Sequence, residues 1–247
     1  MAEITRVFSP EHLEVGETLR LSEEEGHHVY RVLRGRTGDR IEVVDGVGRL
    51  FVAELARKGE ATLLVERPTP EGGEGEVTLY QAVPKGRHMD LVVEKTTEIG
   101  VARIVPLVTE RGVVRLSEGD GKVRRWCRVA EAAARQSLRL RISEVTEPVH
   151  FSEVVREVRE TGVLLHNGPD LPPLEDVMLG PAVELFVGPE GGWSEGELVE
   201  AMEAGLSSAS LGSHRLRSET AGVVAVARAC AVLERARSES GSVERRR

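Results

Sequence analysis

The sequence predicts an α/β protein: a larger C-terminal part built on a mostly parallel sheet, preceded by a small β-rich module. Three observations support this fold class. Residues 4–65 consist of short β-type runs separated by turn sequences such as the DGVG of residues 45–48. Residues 67–76, RPTPEGGEGE, are rich in Pro, Gly and Glu, which is typical of an exposed connection. Beyond them, apolar strand-like runs alternate with helical patterns, which indicates a sheet covered on both faces.

The elements of the second part can be assigned in order. Strands buried on both faces have near-continuous apolar sequences, and this pattern predicts strands at residues 77–83, 103–108, 162–167, 182–188 and 207–212. Helical periodicity separates these runs. It predicts helices at residues 89–100, 121–138 and 151–160, and further helices that begin at Ser194 and near Ser218.

These assignments divide the chain into domains. We expect a first domain over residues 1–72 and a second domain over residues 73–236. Residues 237–247 have no apolar face and are predicted to form a disordered tail.

Composition bounds the class of protein. The chain has 247 residues, 40% of them hydrophobic, so it can bury a sizeable core. It has no run of about 18 apolar residues, and its start is acidic rather than basic and apolar, so we expect a cytoplasmic protein without a membrane segment. Cys127 and Cys230 are isolated from each other and from histidines in metal spacing, which predicts neither a disulfide nor a metal site.

The charge pattern leaves room for a local nucleic-acid contact. A net charge of −8 argues against coating of the surface by nucleic acid, although it does not exclude a basic patch. Arginines gather within residues 31–40 and 122–141. Either cluster taken alone favours an ordinary solvated helix or loop face.

Three loops at predicted strand ends carry the most information, because ligands of open α/β sheets bind outside the carboxyl ends of the strands. They are residues 164–170, 186–194 and 211–222. In the second loop, VGPEGGWS, Ser194 and Glu197 form a predicted capping box, so a helix begins directly after the glycines. The glycines could serve a tight turn alone, or they could let a ligand approach the backbone.

The chemistry of the second loop restricts the ligand. The chain contains neither GxGxxG nor GxxxxGK[ST], and Glu190 would repel a phosphate. A cofactor that has a positive charge and a neutral adenosine fits better. In the third loop, RLRSETAG, helix capping accounts for Ser218 and for Glu219 or Thr220 but leaves Arg217 without a structural role. His166 and His214 are more typical of hydrogen-bonded loop residues than of bases.

The order and spacing of several motifs resemble the SPOUT methyltransferases, and in particular the RsmE family of 16S ribosomal RNA uridine-N3 methyltransferases. The likeness covers nearly the whole chain. Its motifs are RVFSP from Arg6, HHVYRVLRGRTGD from His27, KGRHMDLVVEKTTEIGV from Lys85, FVGPEGGWS and LGSHRLRSETA. The resemblance implies an N-terminal PUA-like RNA-binding barrel, a C-terminal domain with a trefoil knot, S-adenosylmethionine as cofactor, a homodimer, and a role in small-subunit ribosome biogenesis.

The resemblance also implies which residues form the site. Cofactor binding is assigned to Leu165, His166, Gly188, Pro189, Glu190, Gly191, Gly192, Leu211, Gly212, Leu216, Arg217 and Thr220. Binding of 16S rRNA or of the small subunit is assigned to Arg31, Arg34, Arg36 and Arg139. The chain departs from the family pattern near Arg135 and at Ser213–Arg215, which leaves the roles of Arg135 and His214 open.

The chemistry expected of such a site needs no metal. The N3 position of uracil carries an imide proton and becomes nucleophilic when that proton leaves, so a nearby guanidinium favours the reactive anion. We assign this catalytic role to Arg217, with Glu219 or solvent as the proton acceptor. Three alternatives are a noncatalytic RNA-binding protein, a SPOUT enzyme with another RNA target, and a doubly wound hydrolase or dehydrogenase, whose signature motifs are missing here.

Overall fold

The structure is a computed structural model, and it describes residues 6–9, 13–57, 59–68, 76–114, 121–158, 161–178 and 180–244. The chain divides into two compact units. The first comprises Met1–Gly73 together with Ala134–Ile142, and the second comprises Glu74–Ala133 and Ser143–Arg247.

The first unit is a five-stranded, mostly antiparallel sheet. Its strands lie in the order β1-β3-β4-β5-β2, and β1 pairs with β3 in parallel. The bounds are β1 Arg6–Phe8, β2 Thr18–Arg20, β3 Arg40–Val44, β4 Leu50–Leu55 and β5 Glu60–Arg67. Val7, Leu19, Val29, Phe51 and Leu55 are among the side chains that form its core. The prediction of a β-rich N-terminal module is confirmed.

A short helical segment covers this sheet between β2 and β3. Helix α1 spans Glu23–His27, and one π-helical turn follows it over His28–Val32. The Ser22 hydroxyl accepts a hydrogen bond of 3.2 Å from the backbone N–H of Glu25 and so caps the first turn of α1.

Residues 134–142 belong to the first unit, which the domain boundaries drawn from the sequence did not anticipate. The Arg135 guanidinium forms an ion pair of 3.4 Å with the buried Glu25 and lies 5.9 Å from the centre of the Phe8 ring. The backbone N–H of Ile142 donates to the carbonyl of Gly46 at 2.9 Å. Arg135, whose role the sequence left open, is therefore a structural residue of the first unit.

The second unit contains a seven-stranded sheet in which every strand pairing is parallel. The order is β12-β10-β11-β6-β7-β8, with β9 paired to β7. The bounds are β6 Glu76–Ala82, β7 Arg103–Val108, β8 Glu144–Val145, β9 Val149–His150, β10 Gly162–Leu165, β11 Ala182–Val187 and β12 Ser207–Ala209. The five predicted strands of the α/β part are all present. The two-residue strands β8 and β9 were not predicted because they are too short to show a pattern.

Helices pack on this sheet. They are α2 His88–Ile99, α3 Lys122–Gln136, α4 Phe151–Val154, α5 Leu174–Val177, α6 Glu195–Glu203 and α7 Ser218–Glu244. Helix α7 contacts β6, β11 and α2. Within the part of the chain that the structure describes, no helix has the length and apolarity needed to cross a membrane.

Helix α7 corrects the prediction of a disordered tail from residue 237. The helix continues to Glu244, and only residues 245–247 of that tail lie outside the described residues. Pairs spaced by one helical turn support the extension, since Arg235 bonds to Glu239 at 3.1 Å and the Ser238 hydroxyl donates to the carbonyl of Glu234 at 3.0 Å. A polar sequence without an apolar face can thus continue a helix that an apolar segment has begun.

Candidate functional site

A cavity of about 580 Å³ opens at the carboxyl ends of β10 and β11. Because β12, β10 and β11 are neighbours in the sheet, the three loops that follow them meet at one edge. The loops line the cavity with Leu165, His166, Asn167, Val187, Gly188, Pro189, Glu190, Gly192, Trp193, Leu211, Arg215, Leu216, Arg217 and Ser218, and helices α6 and α7 add Leu198 and Ala221.

Most of the cofactor residues predicted from the sequence are brought together here. Gly191, Gly212 and Thr220 are the predicted members that do not line the cavity, and Gly212 lines a neighbouring depression of about 460 Å³. Trp193 and Ser218 also line the cavity but were not among the predicted site residues. Each is the direct neighbour in sequence of a predicted residue, Gly192 or Arg217, and only this position could have indicated them.

Trp193 shapes the floor of the cavity. Its indole N–H donates to the carbonyl of Leu165 at 3.0 Å, which ties the loop after β11 to the end of β10. The same ring explains Gly188, since a Cβ at that position would lie 3.0 Å from the indole. Phe151 packs against the other side of Trp193, with 5.0 Å between ring centroids. The floor is therefore a packed aromatic contact.

Residues 188–192, here called the glycine loop, form a tight turn. Gly192 has a φ of +70°, which favours glycine, and its N–H donates to the carbonyl of Pro189 at 2.9 Å. A Cβ on Gly191 would lie 3.3 Å from Cβ of Arg111. Turn geometry therefore explains Gly192, and close packing against Arg111 explains Gly191.

Glu190 connects the glycine loop to its neighbours. One oxygen of its carboxylate accepts a hydrogen bond of 3.1 Å from the backbone N–H of Lys85. Its backbone carbonyl accepts one of 3.3 Å from the Arg215 guanidinium. Glu190 is thus a lining residue of the cavity whose carboxylate is bonded to the backbone of Lys85.

The capping box predicted at the start of α6 is confirmed. The Ser194 hydroxyl accepts from the N–H of Glu197 at 3.2 Å, and the Glu197 carboxylate accepts from the N–H of Ser194 at 2.8 Å. Glu197 also accepts from the N–H of Glu110 at 2.9 Å, so this buried carboxylate is well compensated.

The two predicted catalytic residues have different surroundings. Arg217 lines the cavity and is exposed, and its guanidinium makes no hydrogen bond or ion pair with any residue that the structure describes. Glu219 does not line the cavity. Its buried carboxylate faces Nδ1 of His88, on α2, at 3.5 Å. The structure therefore brings Arg217 to the cavity and directs Glu219 elsewhere.

The sequence predicted His166 and His214 to be hydrogen-bonded loop residues. His166 lines the cavity half-buried, and burial lowers the pKa of its imidazole below the ordinary value. A neutral imidazole in this position can exchange hydrogen bonds without adding positive charge. His214 is exposed and is not part of the cavity lining.

The predicted RNA-binding arginines belong to the first unit. Arg31 lies in the π-helical turn, and Arg34 and Arg36 follow it, all with exposed side chains. Their guanidinium groups form no hydrogen bond or ion pair within the described ranges. Val32 and Leu33, between them, are also exposed. Arg139 is half-buried in the 134–142 segment.

Among the described residues, no group of three or more His, Cys, Asp or Glu side chains is arranged to hold a metal ion. The lining of the cavity consists of backbone groups, apolar side chains, two arginines, one glutamate, one histidine, one asparagine and one serine. Such a set suits an organic ligand.

Comparisons with known proteins agree with this arrangement. The profile of an RNA methyltransferase domain matches residues 72–230, and that of an RNA methyltransferase PUA domain matches residues 21–66. Ribosomal RNA small subunit methyltransferase E from Synechocystis is 35% identical over 237 residues, covering 92% of this chain and 77% of the relative. The Mycobacterium tuberculosis protein of the same name is 33% identical over 82% of both chains.

A solved structure gives the same result for the fold. Ribosomal RNA small subunit methyltransferase E from Neisseria gonorrhoeae, bound to S-adenosyl methionine, superposes with a TM-score of 0.79 at 32% identity. The match covers 92% of this chain and 96% of that one. The chain belongs to the RNA methyltransferase family, with ribosomal RNA small subunit methyltransferase E among its relatives.

Proposed function

We propose that the protein transfers a methyl group from S-adenosylmethionine to N3 of a uridine in 16S ribosomal RNA, as a step of small-subunit biogenesis. The observation that carries the proposal is the cavity of about 580 Å³ at the ends of β10 and β11, which most of the glycine loop and Arg217 both line. Family membership identifies the class of reaction, and the cavity supplies a site for it.

The residues of the cavity fit this cofactor. Leu165, Leu198, Leu211 and Leu216 offer apolar walls for an uncharged nucleoside, and backbone groups of the glycine loop can exchange hydrogen bonds with its base. Glu190 supplies a negative charge that suits a cation. When bound, S-adenosylmethionine supplies an electrophilic methyl group on a positively charged sulfur.

Arg217 has the main chemical role in this proposal. Uridine N3 must lose its proton before it can attack the methyl carbon, and a guanidinium stabilises the resulting anion by charge and by hydrogen bonding. Arg217 is suited to this role because it is the exposed arginine of the cavity that no described residue engages. Arg215 differs, since it donates to the carbonyl of Glu190.

The proton of N3 needs an acceptor. Glu219 was the candidate side chain, but it lies outside the cavity lining and faces His88. We therefore assign the proton to solvent, because an imide is acidic enough to release its proton to water once the anion is stabilised.

RNA binding is assigned to the first unit. Arg31, Arg34 and Arg36 are exposed and unengaged by the described residues, so they can contact phosphates of the RNA backbone. Arg139 is the fourth proposed contact. We extend this division of labour to the two units: the first unit, which includes residues 134–142, binds RNA, and the second carries out methyl transfer.

The proposal has four further features. We propose a trefoil knot, which is supported by the return of the chain from the edge strand β12 to a helix that packs on the central strands β6 and β11. We propose a homodimer, and the exposed Leu91 of α2 offers apolar surface for it. We also propose a cytoplasmic location, where the ribosome is assembled, and a reaction that uses no metal.

Calorimetry with S-adenosylmethionine tests the proposal at its first step. We expect saturable binding in the micromolar range, and no detectable binding at millimolar cofactor would remove the methyltransferase assignment. The target is tested by mapping modified nucleotides in 16S rRNA from a strain that lacks the protein. Loss of one N3-methyluridine, restored by the wild-type protein, would establish it.

A further inference from the structure

We propose that Ser218 and Gln81 form a positioning pair that holds the glycine loop in register with Arg217. The inference rests on the proposed function, since it assigns the pair a role in cofactor binding and methyl transfer. The sequence predicted Ser218 only as a helix-capping residue and assigned no role to Gln81. Gln81 is on β6 and fully buried, and Ser218 begins α7 and is 5% exposed.

The pair links two of the loops that line the cavity. The Ser218 hydroxyl donates to the carbonyl of Gly188 at 2.6 Å. Gly188 begins the glycine loop, and Ser218 directly follows Arg217 in the chain. One hydroxyl therefore connects the proposed cofactor loop to the residue proposed to stabilise the uridine anion.

Gln81 determines the direction of that hydrogen bond. Its side-chain N–H₂ donates to the carbonyl of Ala82 at 3.0 Å, which identifies this end of the amide as the nitrogen because a carbonyl can only accept. The same nitrogen lies 2.9 Å from the Ser218 oxygen. The nitrogen has no lone pair to offer, so the hydroxyl accepts from Gln81 and directs its own proton to Gly188.

The position of the amide is itself restricted by α7. A Cβ on Gly222 would overlap Oε1 of Gln81, so the helix can pack against the amide only because residue 222 is glycine. Gly222 lies one helical turn after Ser218, and both therefore face β6. The packing of α7 on the sheet and the orientation of the hydroxyl are thus set by the same contact.

This geometry predicts two effects of losing the hydroxyl. The carbonyl of Gly188 would lose a partly buried hydrogen bond, so the glycine loop would become less ordered and cofactor binding would weaken. The distance between the glycine loop and Arg217 would also become less well defined, and methyl transfer is sensitive to such displacements. A residue that only stabilised the fold would produce neither effect in molecules that remain folded.

The test compares Ser218→Ala with Ser143→Ala. Ser143 is a matched control because it is also 5% exposed and also donates to a backbone carbonyl, that of Val101, at 2.6 Å, but it does not line the cavity. We expect Ser218→Ala to raise the Kd for S-adenosylmethionine about tenfold, the effect of one ordinary hydrogen bond. Ser143→Ala should lower the unfolding temperature similarly and leave that Kd within twofold of wild type.

Kinetics separate positioning from stability. At saturating cofactor and RNA, Ser218→Ala should reduce the single-turnover rate about tenfold without raising KM for RNA. Ser218→Thr, which keeps the hydroxyl, should recover most of the rate. If Ser218→Ala has the Kd and the rate of Ser143→Ala, the proposal is overturned.

A double-mutant cycle tests the part played by Gln81. Gln81→Met keeps the length of the side chain but removes the donor, so it should weaken cofactor binding about threefold in the wild-type background. It should have little further effect when Ser218 is already alanine, because Gln81 acts through that hydroxyl. If the effects of the two substitutions on the Kd are additive, the role of Gln81 is overturned. If Ser218→Ala does not fold, a wild-type Kd for S-adenosylmethionine in Gln81→Met overturns the proposed pair. Failure of the wild-type protein to bind S-adenosylmethionine would instead refute the proposed function, and the inference with it.

Discussion

The glycine loop of the second unit and the arginine segment of the first, residues 31–36, are both exposed stretches with a proposed ligand, but they are held very differently. The glycine loop is bonded to Ser218, Lys85, Arg111 and Arg215. The arginine segment is fixed through its backbone, with the N–H of Arg36 donating to Asp39 at 2.7 Å, and its guanidinium groups engage no described residue. A small cofactor needs a preorganised surface, whereas a phosphate backbone needs accessible charge.

Arg217 is the residue that departs from this rule, because it lies in the preorganised site but is as unengaged as the arginines of the first unit. If it stabilises the uridine anion, Arg217→Ala should lower the single-turnover methylation rate by about two to four orders of magnitude, with little change in cofactor binding. Raising the pH should partly restore the rate, because solvent then produces more of the anion. Arg217→Lys should keep some activity, since it retains the charge but loses the planar fork.

Arg215→Ala is the control for that prediction. Arg215 lines the same cavity, but its guanidinium is bonded to the glycine loop, so its loss should weaken cofactor binding by a few-fold rather than slow the chemical step. Equal plateau rates and parallel pH profiles for wild type and Arg217→Ala would show that the guanidinium has no part in the reaction.

The arginine segment should control RNA affinity alone. Simultaneous replacement of Arg31, Arg34 and Arg36 by alanine should weaken RNA binding by about 10- to 100-fold at physiological salt. The slope of log K against log salt should decrease by about two to three, because each lost phosphate contact contributes roughly 0.7 to 0.9. Binding measured from 50 to 300 mM salt gives the slope. An unchanged slope, or a changed affinity for S-adenosylmethionine, would contradict this division of labour.

The glycine loop should respond to small changes in shape. Gly188→Ala places a Cβ 3.0 Å from the Trp193 ring, so the loop or the indole must shift, and we expect cofactor affinity to fall about tenfold. Gly196→Ala is the matched control, because its Cβ would meet only the Ser194 hydroxyl, at 3.8 Å. Cofactor titrations of both variants provide the comparison. A Gly188→Ala protein that binds like Gly196→Ala would show that the loop is more adaptable than its contacts imply.

The sequence predicted those features that depend on local patterns. The apolar run at residues 103–108 became β7 over the same residues, and the Ser194 and Glu197 pair formed its capping box. Gln81 could not be assigned a role, since its partner Ser218 is 137 positions away and the strand order that joins them is not a local property. Residues 134–142 group with the first unit, and this placement also depends on contacts between residues that are distant in sequence.

The cavity residues also show the difference between what local sequence predicts and what the folded chain determines. The predicted residues came from loops that a resemblance places together, and most of them do line one cavity. Glu219 does not, because a helix turns successive side chains about its axis and directs this one toward His88. Closeness in sequence to a proposed catalytic residue therefore predicts the part of the fold in which a residue lies, but not the direction in which its side chain points.

The smallest expected effect is on the pH dependence of stability and concerns His166, a titratable residue that lines the cavity. Burial lowers the pKa of this imidazole below its ordinary value of 6.5, so the folded protein favours the neutral form. The stability that this neutral form contributes is present above about pH 6.5 and is lost as the pH falls through the lowered pKa, because the unfolded chain binds the proton more readily. Between pH 7 and pH 5, the unfolding temperature of His166→Gln should therefore decrease by about one or two degrees less than that of wild type. The two proteins differ only at residue 166, so the difference between the two curves isolates His166. Cofactor binding should follow the same direction, since a protonated imidazole would repel a cation beside it. Superimposable curves for the two proteins would mean that the imidazole is as well solvated in the folded state as in the unfolded one.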